Sequence, residues 1–176
     1  MEAMKIVVMS DTHLAQPDDE FKAICSRFCE DADMVIHLGD WEKFGILNYL
    51  ERYPLEGVSG NMDDYAIQRR LPARRVVQGG RFRLGITHGW GAAQGIRQRI
   101  GEQFAGVDAI LFGHTHQPLI LREGRMLWFN PGSMFLGRGG CRGSIGLLKI
   151  EERIEAEIFE LHGRAGLKKM EERVGA

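Results

Sequence analysis

Five short apolar stretches of this chain each run directly into an aspartate, asparagine or histidine. Met4–Met9 (MKIVVM) leads into Ser10-Asp11-Thr12-His13, Met34–Leu38 (MVIHL) into Gly39-Asp40, and Leu55–Ser59 into Gly60-Asn61. Arg81–Thr87 leads into His88-Gly89, and Asp108–Phe112 (DAILF) into Gly113-His114-Thr115-His116. Short apolar runs stopped by Gly, Asp or Asn read as buried strands that end in polar turns. Between the first three runs the spacing becomes helical, with Phe21, Ile24, Cys25 and Phe28 in Asp18–Cys29 and a second segment over Glu42–Arg52. Strand–helix–strand alternation builds a parallel sheet, so the expected fold class is α/β.

The later chain changes pattern. Arg74–Gln78 and Arg81–Thr87 flank Gly79-Gly80, a hairpin signal, and Ala92–Phe104 reads as a helix. Leu119–Arg122, Arg125–Phe129, Gly143–Ile150 and Ile154–Leu161 follow as successive antiparallel strands. The charged, glycine-containing stretch 163–176 is expected to be a tail or a frayed helix. Parallel units, a hairpin and a late meander together imply two packed sheets with helices outside. A chain of 176 residues, 44% of them hydrophobic, suits a single domain over 1–176.

Open α/β sheets bind ligands at the carboxyl ends of their strands. Asp11, His13, Asp40, Asn61, His88, His114 and His116 all follow strands, so they are expected to converge on one rim. Taken singly, each fragment has an ordinary explanation. Gly-Asp and Gly-Asn are common turns, and Asp11-Thr12-His13 matches a helix cap followed by a chance histidine. His114 and His116, two apart in an extended segment, gain nothing structural. The ordered series D-x-H, G-D, G-N, H-G, G-H-x-H is a site. His37 and His162 lie within strands and read as structural imidazoles.

With MKIVVMSDTH, HLGD, GNMD, THG, GHTH and Asn130-Pro131-Gly132-Ser133 in this order, the chain resembles the calcineurin-like metallophosphoesterase superfamily. Within it, the chain is similar to the small bacterial and archaeal phosphodiesterases. The resemblance covers nearly the whole chain and implies a four-layer αββα sandwich of two mixed β-sheets flanked by helices. It further implies two divalent transition-metal ions, manganese first, with nickel, iron, zinc or cobalt as alternatives. Asp11, His13, Asp40 and His116 would hold one ion, and Asp40, Asn61, His88 and His114 the other, with Asp40 bridging. Asp40, Asn61, His88 and His114 would be the catalytic set. Independent chemistry supports such a group: paired ions polarise a phosphoryl group and generate hydroxide at neutral pH, and mixed imidazole and oxygen ligands suit transition metals.

The implied activity is phosphodiester hydrolysis. A phosphomonoesterase, a nuclease and a non-catalytic scaffold such as the retromer subunit share this fold. Many relatives carry histidine after the Gly-Asn pair, as a phosphate contact or general acid. Met62 stands there instead, and a thioether has no proton to donate. His-Gly-His of relatives is His88-Gly89-Trp90 here, which leaves Trp90 as a pocket wall. Trp41, Phe44 and Tyr65 follow the site loops and either stack on a leaving group or pack in the core. Asp63 is expected to brace its loop. Asn130 and Ser133 either support the metal loops or form a tight turn.

Composition narrows the partners. Lys plus Arg number 23 against 24 Asp plus Glu, so nucleic acid is not expected, and a small phosphodiester is. No apolar run reaches membrane-spanning length and no signal peptide is indicated. The three cysteines, with Cys25 and Cys29 four apart, read as reduced core thiols of a cytoplasmic protein. A homodimer or homotetramer is the expected assembly.

Overall fold

The computed structural model describes residues 3–134, 143–162, 166–170 and 173–174. The chain opens with β1 (Met4–Met9), α1 (Asp19–Cys29), β2 (Met34–His37), α2 (Phe44–Leu50), β3 (Leu55–Gly57) and α3 (Tyr65–Arg70). It continues through β4 (Arg74–Gly79), β5 (Phe82–Thr87), α4 (Ile96–Gly101), β6 (Ala109–Phe112), β7 (Leu119–Glu123) and β8 (Met126–Asn130). It ends with β9 (Gly143–Ile150), β10 (Ile154–His162), β11 (Gly166–Met170) and β12 (Arg173–Val174).

Two mixed six-stranded sheets result, ordered β11-β10-β9-β1-β2-β3 and β12-β7-β8-β6-β5-β4. In the first, β1, β2 and β3 are parallel, with Val7 opposite Val35 and His37 opposite Gly57. In the second, β5, β6 and β8 are parallel. The two faces that meet are apolar: Ile6, Val8 and Ile36 of one sheet pack with Leu84, Ile86 and Leu111 of the other. The outer face of the first sheet is covered by α1, α2 and α3 through Phe21, Cys25, Leu47, Leu50 and Ile67. That of the second is covered by Ile96 and Ile100 of α4. The four layers are helix, sheet, sheet, helix, as the sequence implied.

Local chemistry sets the element ends. Asp18 caps α1 by accepting from the Phe21 amide at 2.8 Å, a contact worth about 1 kcal/mol. The helix expected over Glu42–Arg52 starts only at Phe44, because Glu42 takes φ +78°. The one expected over Ala92–Phe104 shrinks to Ile96–Gly101. The Arg99 guanidinium bonds the carbonyls of Trp90, Ala92 and Gln94, which holds the preceding segment as a loop. Helix α3, capped by Asp64 onto the Ile67 amide, was not anticipated, since one buried residue makes no periodic pattern.

The expected run of antiparallel strands divides between sheets: β7 and β8 join the second, β9 and β10 the first. Within the stretch 163–176, Gly166–Met170 forms β11, antiparallel to β10, and Arg173–Val174 forms β12, parallel to β7, in place of the expected tail or frayed helix; the rest of it lies outside the described residues. Cys25 and Cys29 are buried free thiols, and the Cys29 hydrogen bond together with burial pushes the Cys25 thiol far up. Cys141 lies outside the described residues.

Candidate metal centre

The parallel strands of both sheets deliver their carboxyl ends to one rim, and all seven residues singled out in the sequence lie there. Among the described residues, six non-glycine residues adopt positive φ: Asp11, His13, Asp40, Glu42, His114 and His116, between +48° and +78°. Five of these belong to the seven. A left-handed conformation costs roughly 1–3 kcal/mol at a non-glycine residue and persists only where surrounding structure over-determines it. Here the site loops brace one another. Asp11 N–H donates to Gly39 C=O at 3.0 Å, His13 N–H to Asp40 C=O at 3.2 Å, and Gly113 N–H to His88 C=O at 3.0 Å. The approach is close enough to require glycine. A Cβ on Gly113 would lie 2.0 Å from Ser10 Oγ, and one on Gly39, itself at φ +93°, would lie 2.7 Å from the Gly60 nitrogen.

Asp11 and Asp40 sit at the centre, both buried. Asp11 Oδ2 accepts from Ser10 Oγ at 2.5 Å and from the His114 amide at 3.2 Å. Its other oxygen, Oδ1, is buried and accepts no hydrogen bond of normal geometry. Three imidazole Nε2 atoms face that oxygen instead: His116 at 3.0 Å, His13 at 3.9 Å and His88 at 4.0 Å. Asp40 divides its oxygens similarly. Oδ1 accepts from the Met62 amide at 2.8 Å, while Oδ2 faces His88 Nε2 at 3.3 Å and His13 Nε2 at 3.8 Å. Asn61 Oδ1 lies 3.1 Å from both His88 Nε2 and His114 Nδ1.

Two backbone carbonyls decide which ring nitrogens face inward with a lone pair. His88 Nδ1 lies 2.8 Å from Leu38 C=O, and His114 Nε2 lies 2.9 Å from Gly91 C=O. A carbonyl only accepts, so those nitrogens carry the protons. In the neutral tautomers so fixed, Nε2 of His88 and Nδ1 of His114 are the nitrogens that offer a lone pair, on the side of Asp11, Asp40 and Asn61. Acceptors facing acceptors need a cation between them, and hydrogen bonding of the second ring nitrogen to a carbonyl is how metal-ligating histidines are oriented. Asp11, His13 and His116 can hold one ion, and Asp11, Asp40 and His88 a second, each trio having its donor atoms within 4.8 Å.

The charges respond in the same sense. Burial pushes the His88 pKa down, but hydrogen bonding to Asp40 and the charges of Asp11 and Asp40 outweigh it, and the value is raised. The Asp11 carboxylate, whose Oδ1 lies 3.0 Å from its Nε2, raises His116. Burial pushes Asp40 up, yet His88 and the Met62 amide bring it below the usual carboxylate value. Protons are drawn to where a divalent cation is accommodated.

The family model for the calcineurin-like phosphoesterase superfamily domain matches residues 4–153. The chain belongs to the calcineurin-like phosphoesterase superfamily. It is 35% identical over 162 residues to a probable metallophosphoesterase of Methanothermobacter thermautotrophicus, covering 89% of this chain and 92% of that protein. It is 28% identical over 167 residues to the phosphodiesterase YfcE of Escherichia coli, covering 82% and 87%. The crystal structure of Chaetomium thermophilum Vps29 superposes with a TM-score of 0.77 over 96% of this chain and 97% of that one, at 19% identity, which is a likeness of fold.

Around the centre, the other expectations resolve individually. His37 is fully buried, its Nε2 is 2.5 Å from Thr12 Oγ1, its Nδ1 accepts from the Gly39 amide, and its ring stacks on Trp41 at 3.6 Å. It is structural. Trp41 is buried, donating to Val58 C=O at 2.9 Å, and Phe44 packs under α2, so neither reaches a ligand. Tyr65, Met62 and Trp90 are exposed. Asp63 braces its loop as expected, accepting from the Gly60 and Glu42 amides, and burial raises its pKa. Asn130 is buried, donates to Gly113 C=O and to Thr115 Oγ1, both at 3.0 Å, and accepts from the Gly132 amide. Ser133 donates to Asp11 C=O at 2.9 Å. The Asn130–Ser133 motif is thus a turn and a support for two site loops at once. Sequence reasoning missed Ser10, Glu42, whose carboxylate comes within 4.0 Å of His13 Nδ1, and the Leu38 and Gly91 carbonyls. Ser10 and Glu42 each adjoin a site motif, but carbonyls leave no residue signature.

Proposed function

We propose that the chain is a dinuclear metal-dependent phosphodiesterase. One observation carries the reading: two backbone carbonyls fix the His88 and His114 tautomers so that lone pairs face carboxylate and amide oxygens. In this proposal Asp11, His13, Asp40 and His116 would hold one ion and Asp40, Asn61, His88 and His114 the second, with Asp40 common to both. Divalent ions bound there supply charge opposite the phosphate and acidify a nearby water, the chemistry of two-metal hydrolases. Manganese is our first choice, and nickel, iron, zinc or cobalt suit the same donors.

The protein's own contribution is preorganisation. Strained loops hold the donors before any ion arrives, so little reorganisation accompanies binding. Among the described residues, the proposed metal ligands His88 and His114 are the titratable side chains that meet Asn61, and the residue directly after it in the Gly-Asn loop is Met62, not an acid. Met62 meets Asp40 through its backbone amide only, and Asp63 has both oxygens engaged by amides. The leaving oxygen therefore departs with little help, which suits a diester with a good leaving group. A purely scaffolding protein would need no such donor set. We place the activity in the whole of 1–176, on small diesters, in the cytoplasm. The test is metal analysis with hydrolysis of bis(4-nitrophenyl) phosphate before and after chelation. Loss of activity with metal and its return on adding manganese is expected. Full turnover in chelator with no bound metal would sink the assignment.

A further inference from the structure

A groove of about 530 Å³ is lined by Asn61 and His88 of the metal centre and also by Arg74 and Trp90. Pro72 and Ala73 line it and are held in place, because Pro72 C=O accepts from the Ser59 amide at 3.0 Å and Ala73 C=O from Thr87 Oγ1 at 3.2 Å. One wall carries the Trp90 indole, 45% exposed. The other two tryptophans, Trp41 and Trp128, are buried. The Trp90 backbone is not loose, since its carbonyl accepts from Arg99 at 3.1 Å. An exposed aromatic face on a braced loop beside the site is free to stack on a ligand.

The charge of the groove is one-sided. Its lining includes Arg74 and no carboxylate. The neighbouring arginines of the same stretch are neutralised, Arg70 by Glu51 and Arg75 by Glu56. Arg74 has no ion-pair partner among the described residues. In a chain of net charge −1, a lone guanidinium in an acid-free groove selects an anion locally rather than by long-range field.

We propose that this groove seats one arm of the phosphodiester, an aromatic ring stacked on Trp90 and carrying a second anionic group that pairs with Arg74. The inference rests on the phosphodiesterase reading and adds a substrate class to it: aryl or heteroaryl diesters bearing a further negative charge, nucleotide-like in size and polarity. The volume lies within the range of small-molecule sites. Trp90 is a specificity residue here, and Arg74 its electrostatic partner.

The experiment uses manganese-loaded protein and three 4-nitrophenyl diesters whose second arm is methyl, phenyl or 4-carboxyphenyl. KM is expected to fall about tenfold from methyl to phenyl by stacking. A further fall of about fivefold is expected on adding the carboxylate. Trp90→Ala removes the first step and Arg74→Gln the second, whereas Arg69→Gln, the same charge change outside the groove, alters neither. Equilibrium binding of methyl, phenyl and 4-carboxyphenyl phosphate, followed by tryptophan fluorescence, must show the same order. Hydrolysis of all three diesters with equal KM and equal product affinity overturns the groove proposal and leaves the phosphodiesterase reading standing. Arm-dependent binding without hydrolysis of any diester does the reverse.

Discussion

Asn130→Ala is the sharpest test of how the fold holds the site. The side chain is fully buried and makes three hydrogen bonds, to Gly113 C=O, Thr115 Oγ1 and Gly132 N–H. Truncation strands the Gly132 amide, and an unsatisfied buried group costs about 1–3 kcal/mol, whereas the Gly113 carbonyl still accepts from the Thr115 amide at 2.8 Å. Thr115 is only half-buried and rehydrates cheaply. The expected loss is about 2 kcal/mol, which at a urea slope of about 2 kcal/mol/M lowers the midpoint by about 1 M. His114 and His116, at φ +68° and +56° on the loop that Asn130 ties down, lose their brace at the same time. Metal affinity should therefore fall about 10–100-fold, the usual cost of removing a residue that supports ligands. Urea unfolding in chelator isolates the stability loss, and manganese titration of the folded variant isolates the affinity loss. A midpoint shift below about 0.3 M with unchanged affinity would refute the reasoning, because the buried bonds of Asn130 would then be worth no more than exposed ones.

Other perturbations separate the remaining roles. Asp40→Ala should lose both ions in metal analysis, because its Oδ2 faces His88 and His13 alike; retention of one ion would argue against sharing. Met62→His should accelerate diesters with poor alkyl leaving groups selectively, by about 10²-fold or more, while aryl diesters change little; turnover against leaving-group pKa measures this. His37 is buried and held neutral, its pKa well below the ordinary value because burial disfavours the charged ring. The unfolded chain therefore takes up a proton below about pH 6.5 that the folded one refuses, so this stability is present above pH 6.5 and declines as pH falls. In chelator, wild type should lose up to about 1.4 kcal/mol per pH unit through this group, and His37→Gln should show a shallower slope in urea midpoints between pH 6.5 and 5.

Asp11, His13, Asp40, Asn61, His88, His114 and His116 could be read as one site before any fold was known. Each stands just after an apolar run, and strand-end placement is a local property of turn chemistry and hydrophobic period. The same locality explains the errors. Helix α3 buries a single residue, and Glu42 and Gly95, both at positive φ, delay α2 and α4 beyond where periodicity starts them. Strands β11 and β12 are specified by what they pair with, β10 and β7, and nothing within 166–174 announces those partners.

The sequence by itself determined the α/β class, the parallel units and the chemical identity of the donors, because side-chain type and spacing are written residue by residue. Tertiary structure alone decided the electrostatics of the site. The proton positions on His88 and His114 are set by the carbonyls of Leu38 and Gly91, and one carbonyl is like any other in a sequence. The same holds for the carboxylate oxygen of Asp11 left facing three imidazoles, and for the groove between Trp90 and Arg74. Those features depend on which backbone groups long-range folding brings within 3–4 Å, a quantity that no local pattern encodes.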